Sequence, residues 1–184
     1  MQTRESWRIL PLLGGAALAL AAQSAHAEAP LDLPVSWVDD RGDRESLVPL
    51  KSGYSVLGMF YTGCRRVCPQ TVLVMKDLQT ALRDRGVEPE MVLVSYAAEA
   101  ESPRSLASFR LTHHLDSHWH LLAGDSDHTR EFAARMGLGD YHSMDEHYFH
   151  EYRILLRDPQ GNEHAVDWQH RDAAAAVAAL LWSR

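Results

Sequence analysis

The sequence predicts an α/β domain with helices on both faces of a mixed sheet. Three observations carry that prediction. Two uncharged, β-prone runs, Tyr54 to Tyr61 and Met91 to Tyr96, are apolar on both faces, as strands buried between layers are. Each is followed by a stretch with helical spacing of apolar residues, and two short strands around Asp158-Pro159-Gln160-Gly161 read as a closing hairpin.

Taken in order, Val35 to Leu47 holds two short strands around Asp39-Asp40-Arg41-Gly42-Asp43, an N-terminal β-hairpin whose turn reads as ordinary solvated charge. The buried strand Tyr54 to Tyr61 runs into Cys64-Arg65-Arg66-Val67-Cys68-Pro69, after which Val72, Met75, Leu78 and Leu82 mark one helix face. After Met91 to Tyr96, Ser102 is placed to cap a helix with Pro103 at its first position and Leu106 and Phe109 on its buried face. His118 to Leu122 is a third strand. Asp125 or Ser126 caps a helix that carries Phe132 and Met136 and ends at Gly137. Tyr152 to Leu156 and Glu163 to Val166 form the closing hairpin, and a last helix carries Val177, Leu180 and Leu181. The alanine-rich run Ala173 to Ala179 suits that helix.

The first 27 residues read as a cleavable signal peptide. Arg4 and Arg8 precede an apolar stretch from Ile9 to Ala22, and Ala25-His26-Ala27 offers a small-residue cleavage site. That stretch is about 14 residues and Gly14 and Gly15 interrupt it, short of the roughly 18 to 20 needed to cross a bilayer. The expected location is the periplasm, with an uncleaved anchor in the inner membrane, facing the periplasm, as the alternative. Residues 28–184 then form one domain, long enough to bury a core without staples. The whole chain has a formal charge of −7. Arg4, Arg8 and Glu5 leave with the leader as a net +1, so the mature chain stands near −8. That balance argues against a nucleic-acid partner and suits a protein that handles cations or meets a basic partner.

The chain has two cysteines, Cys64 and Cys68. A structural disulfide is the default reading in an oxidising compartment, but a bridge across four positions closes so small a loop that it removes little unfolded-state entropy. On one face of a regular helix the pair would stand about 5–6 Å apart at Cβ, beyond the roughly 3.5–4.5 Å of a disulfide. Pro69 puts Cys64 in the loop and Cys68 at the helix mouth. There the helix dipole, the unpaired N–H groups and the charges of Arg65 and Arg66 predict acidic thiols. Two such thiols either exchange electrons with another dithiol or grip a soft metal, and spacing alone does not choose between these.

At this point the chain resembles a known family. Phe60-Tyr61-Thr62-Gly63-Cys64-Arg65-Arg66-Val67-Cys68-Pro69 is similar to the cysteine-x3-cysteine-proline signature of the SCO/SenC copper proteins, and His150 lies eight residues before Asp158-Pro159-x-Gly161, where that family places its histidine ligand. The resemblance runs from about Leu33 to Trp182. It implies a thioredoxin-like fold and one copper ion, Cu(I) or Cu(II), held by Cys64, Cys68 and His150. It also implies a role in delivering copper to, or preparing the thiols of, a haem-copper oxidase, so the expected partner is the copper-bearing subunit of cytochrome c oxidase or another periplasmic copper or thiol protein. Two thiolates with an imidazole suit copper on general grounds as well. One departure stands out: the family's serine-valine-aspartate-proline after the second core strand is Ser95-Tyr96-Ala97-Ala98 here.

Rival readings follow from the same residues. His147, three positions before His150, competes for the third ligand position, and His113, His114, His118 and His120 resemble a metal tract, although alternation with Trp119 and Leu121 favours exposed or half-buried side chains. Met59, Met75 and Met136 belong to apolar patterns and read as core, while Met144 lies in a polar loop. A metallochaperone without turnover is the preferred reading. The alternatives are a dedicated thiol-disulfide oxidoreductase with Cys64 and Cys68 as its redox-active pair, or a redox or copper sensor. Thioredoxin-type reductases keep two residues between their cysteines and set a cis-proline opposite them, whereas this chain has three and no proline between Pro103 and Pro159. A peroxidase reading lacks a third cysteine to resolve a sulfenic acid.

Overall fold

The structure is a computed structural model that describes residues 31, 33, 36–47, 50, 53–64, 68–97, 100–138, 153–166, 175 and 177–178. The chain begins with a hairpin, β1 (Ser36–Val38) antiparallel to β2 (Arg44–Ser46). The central sheet follows: β3 (Ser55–Phe60), β4 (Glu90–Ser95), β5 (Trp119–Leu122), β6 (Ile154–Arg157) and β7 (Glu163–Val166), in the spatial order β5-β4-β3-β6-β7. β3, β4 and β5 are parallel, while β6 and β7 add antiparallel pairs on the other side of β3. A bridge from Val38 to Ala123 attaches the hairpin beyond β5.

Helices α1 (Cys68–Arg83) and α2 (Pro103–Thr112) pack on one face, and α3 (Ser126–Arg135) on the other. The alternation of the strands sets this up, since successive side chains leave a strand on opposite sides. Val56 and Phe60 of β3, Met91 and Leu93 of β4, and Trp119 and Leu121 of β5 share a core with Val72, Met75, Leu78 and Leu82 of α1 and Leu106 and Phe109 of α2. Leu57, Met59, Val92, Val94 and Leu122 point the other way, into a second core with Trp37, Leu47, Phe132 and Met136. Both faces of β3 and β4 are therefore buried, which is why their sequences carry almost no charge. Gly58 lies on the α1 side, where a Cβ would meet Met75 Sδ at 2.9 Å, so its lack of a side chain lets the helix lie close to the central strand.

The mixed sheet, the N-terminal hairpin and the helices on both faces agree with expectation, and strand ends differ by a residue or two. Asp125 is the α3 cap. Ser102 caps α2 in a reciprocal arrangement with Ser105, and Pro103 opens the helix. The hairpin turn departs from expectation. Asp39 is 2% exposed rather than solvated, and it accepts hydrogen bonds from the backbone N–H of Arg41 and Asp43 and from Arg41 Nε. Burial by itself would raise its carboxyl; the Arg41 side chain and these backbone donors outweigh that and hold it below the usual carboxylate range. Residues 1–27, read as a signal peptide, lie outside the described residues, as do Leu180 and Leu181. Among the described residues no helix is long and apolar enough to cross a membrane.

Candidate functional site

The C-terminal end of β3 carries the cysteine motif. After Phe60 the chain turns at once: the N–H of Cys64 donates to the carbonyl of Tyr61 at 3.2 Å, closing a four-residue turn. Gly63 sits inside that turn because a Cβ there would come within 3.0 Å of the Tyr61 ring. Cys68 is the first residue of α1, and its N–H, one of the donors a helix start leaves over, points at Cys64 Sγ at 3.2 Å. The loop-and-helix-mouth placement expected for the pair is therefore observed. Neither sulfur is in a disulfide; Cys64 is half-buried, whereas Cys68 is 5% exposed and packs in the core with Val72 and Phe60.

That burial corrects the expectation that both thiols are acidic. Burial pushes the Cys68 thiol up, and its hydrogen bond with Cys64 pushes it further, so the copper-free Cys68 is firmly a thiol at neutral pH. The helix start does supply a donor, but that N–H serves the sulfur of Cys64. Arg65 and Arg66 lie outside the described residues.

A carboxylate not anticipated from the sequence organises this corner. Glu101, just before the α2 cap, accepts hydrogen bonds from the Thr62 N–H at 2.7 Å and the Thr62 hydroxyl at 2.9 Å. It also accepts from the Ser95 hydroxyl at 3.1 Å and the Ser105 hydroxyl at 2.7 Å. One side chain thus joins the cysteine turn, the end of β4 and the first turn of α2. Ala97, in the stretch where the family aspartate is missing, is buried and donates its N–H to Ser95 Oγ at 3.1 Å. The available signal in the sequence was an acid beside a helix cap, a common place for one, and nothing local announced its reach to Thr62.

The other candidates sort differently. Met59, Met75 and Met136 are buried in the two cores, as expected. His113 stacks on Phe109 with ring centres 4.1 Å apart, and burial, followed by the charges of Lys76 and His114, holds its imidazole below the usual range. His118 and His120 lie far along the strands from the cysteines, paired to Glu90 and Glu45. Among the described residues no three of His, Cys, Asp and Glu gather in metal-binding geometry. The described part of the candidate centre is therefore the two sulfurs. As a donor set they fit a soft, low-coordinate metal ion such as Cu(I). His150, its neighbour His147, and Met144 lie outside the described residues.

The sequence matches the SCO1/SenC family model over residues 23–182. The chain belongs to the SCO1/SenC family. No functionally curated protein matches it significantly. Among solved structures it is similar to BsSco, described as a member of the Sco family of cytochrome c oxidase assembly proteins with a disulfide switch, at 22% identity and a TM-score of 0.62, covering 79% of this chain and 92% of that one. Yeast Sco1 is similar at 14% identity and a TM-score of 0.67, covering 84% and 99%. Bradyrhizobium japonicum ScoI, solved with copper bound, is similar at 19% identity and a TM-score of 0.59, covering 79% and 94%. The SCO1/SenC chain shares the thioredoxin-like fold of these proteins, and its two cysteines fall where β3 gives way to α1, the corner just described.

Proposed function

We propose that this chain is an exported copper-handling protein in which Cys64, Cys68 and His150 hold one copper ion, and that it serves a haem-copper oxidase by delivering copper to it or by preparing the thiols of its copper site, the Cys64–Cys68 dithiol becoming a disulfide as the client's disulfide becomes two thiols. The observation that carries this reading is the pair of unbridged sulfurs where β3 gives way to α1, one reachable and one buried, in a chain of the SCO1/SenC family. Thiolates are soft donors and favour Cu(I), whereas Cu(II) needs nitrogen as well, which is the part assigned to His150. Copper binding at Cys68 releases the thiol proton that burial otherwise holds, so loading is expected to weaken as pH falls. The periplasm, reached through residues 1–27 as a signal peptide, is the compartment in which such a client is met. The Bacillus anthracis relative, described as a lipoprotein, keeps attachment to the inner membrane as the alternative.

The difference in exposure favours a second reading, dithiol exchange with a dedicated client. Cys64 is the sulfur an incoming disulfide reaches, and Cys68, sheltered behind it, would resolve the mixed disulfide. Titrating the reduced mature protein with Cu(I) and with Cu(II), alongside turnover on a generic disulfide substrate and on the oxidised copper-bearing subunit of the oxidase, separates the two. One copper per chain, lost on oxidation of the cysteines, with little turnover on either substrate is the expected result; rapid turnover on either without tight copper binding overturns it. For the third ligand, His150→Ala is expected to bleach the thiolate-to-Cu(II) colour while sparing most Cu(I) affinity, and His147→Ala to change little. The reverse outcome reassigns the ligand.

A further inference from the structure

We propose that Glu101 is a positioning residue for the Cys64–Cys68 pair and that it biases the pair toward the reduced dithiol. Thr62 occupies the second position of the turn that Cys64 closes, and Glu101 holds it twice, at the backbone N–H (2.7 Å) and at the hydroxyl (2.9 Å). The carboxylate is itself fixed from behind by Ser95 at the end of β4 and Ser105 in the first turn of α2. Cys64 is therefore one turn bond away from an anchor built on two other elements, while Cys68 belongs to the start of α1 and meets Cys64 through its N–H, 3.2 Å from the Cys64 sulfur. Forming a disulfide draws the two sulfurs together to about 2.05 Å, which moves Cys64 and its turn relative to the helix. Hydrogen bonds that fit the dithiol geometry resist that movement, and charge-assisted bonds to a part-buried carboxylate are the stronger kind.

The inference rests on the reading of Cys64 and Cys68 as working thiols, but it needs no copper for its test. The copper-free mature protein is equilibrated with reduced and oxidised glutathione, so that the protein dithiol and one glutathione disulfide give the protein disulfide and two glutathione thiols, with both thiol hydrogens passing to glutathione. Glu101→Gln is expected to shift this equilibrium roughly tenfold toward the protein disulfide, equivalent to about 30 mV for a two-electron couple. Thr62→Val, which removes only the hydroxyl arm, is expected to shift it the same way by less, and it carries the test if Glu101→Gln does not fold. Glu101→Asp keeps the charge and shortens the reach, so it should behave like Glu101→Gln; a parental constant there would overturn positioning in favour of charge alone. A lowered unfolding temperature with an unchanged constant in Glu101→Gln or Thr62→Val overturns the proposal and leaves Glu101 a structural brace. If the parent itself forms no disulfide across the glutathione series, the working-thiol reading falls, which is a different failure from variants that match a redox-active parent.

Discussion

The two ends of the central strands both collect side chains with metal-binding donors, and they use them in opposite ways. Where β3 gives way to α1, the acid Glu101 is bound by uncharged donors, Thr62, Ser95 and Ser105, and the two sulfurs stay out of any disulfide. Toward the N-terminal end of β4, the acids are spent on the imidazoles. His120 has Nδ1 3.1 Å from Glu45 and Nε2 3.0 Å from Glu90, and His118 has Nδ1 3.5 Å from the same Glu90. Glu45 belongs to the hairpin and Glu90 to the sheet, so His120 works as a clasp between them. A site needs donors whose scaffold is satisfied by other groups. The cysteine corner has that arrangement, and the histidine-rich end has ligand-type residues without it.

The largest expected effect tests this contrast directly. Cys64→Ser and Cys68→Ser should each weaken Cu(I) binding by more than about 100-fold, since loss of even an outer-shell partner can cost about 10–100-fold. Both variants should stay folded, as a serine differs little in volume, with Cys68→Ser the less stable of the two because its hydroxyl enters a buried position. Isothermal competition with a Cu(I) chelator and circular dichroism would read the two properties. A serine variant with parental affinity would move the copper ligands to the histidine-rich end and break the comparison.

Next in size is a packing effect on the helix that carries Cys68. Gly58→Val puts a branched side chain where even a Cβ would stand 2.9 Å from Met75 Sδ and 3.4 Å from Leu93 Cδ2. Overpacking of this kind typically costs about 1–3 kcal/mol, and at roughly 2–4 °C per kcal/mol for a domain of this size the unfolding midpoint should fall by several degrees. Copper affinity should suffer as well to the extent that α1 moves away from β3, rather than Met75 alone shifting its flexible side chain, to relieve the clash. A fall in the midpoint with unaltered copper affinity would show that Met75 alone takes up the clash or that the cysteine corner tolerates displacement of its helix.

Most of the fold was legible because its signals are local. The two-sided apolarity of Tyr54 to Tyr61, the Ser102-Pro103 start and the Asp158-Pro159-Gln160-Gly161 turn each state an element within a few residues. The cysteine spacing and Pro69 likewise placed one sulfur in the loop and one at the helix mouth. What was not legible depends on distant neighbours. Burial of Cys68 against Val72 and Phe60 reverses the acidity that a helix mouth suggests, and no local pattern reports how much solvent a first-turn residue keeps. Glu101 reaches back 39 residues to Thr62, a separation at which a single sequence carries no pairing signal. Asp39 looked solvated because its neighbours are charged, yet its role is to accept their N–H groups.

Acidification should loosen the hairpin turn at the histidine-rich end. Asp39 holds the hairpin turn, and its folded value lies below that of the unfolded chain. The stability it contributes is therefore present in full above the unfolded value, about pH 4, and is lost as pH falls through the lower folded one. Asp158 follows the same sign. Burial would raise it, but the Asn162 side chain and the N–H groups of Asn162 and Gln160 hold it down, and it closes the β6–β7 turn. The protection of the Arg41 and Asp43 amides against hydrogen exchange, taken relative to the intrinsic rate at each pH, should fall below about pH 4. Asp39→Asn should make their exchange faster at neutral pH and less acid-sensitive. Equal acid sensitivity in parent and Asp39→Asn would remove Asp39 from this account.

The smallest expected effect is the most discriminating for the histidines. His120 is the best-connected imidazole of the chain's histidine-rich stretch, yet both of its nitrogens face carboxylates and its side chain keeps 22% of its exposure. Part-exposed imidazole–carboxylate contacts are worth on the order of 1 kcal/mol or less, so His120→Gln, which keeps some hydrogen bonding, should lower stability by no more than about 1 kcal/mol. The loss should appear as faster exchange in β2, because Glu45 is the hairpin's side of the clasp, and should leave the cysteine turn unchanged. Copper stoichiometry should remain one per chain, with an affinity within about twofold of the parent, since the residue sits where acids already claim the imidazole. If instead the parent took up a second copper equivalent that His120→Gln lost, the carboxylates around His118 and His120 would have to be co-ligands rather than competitors, and the two ends of the sheet would differ in metal preference instead of in whether they bind metal at all.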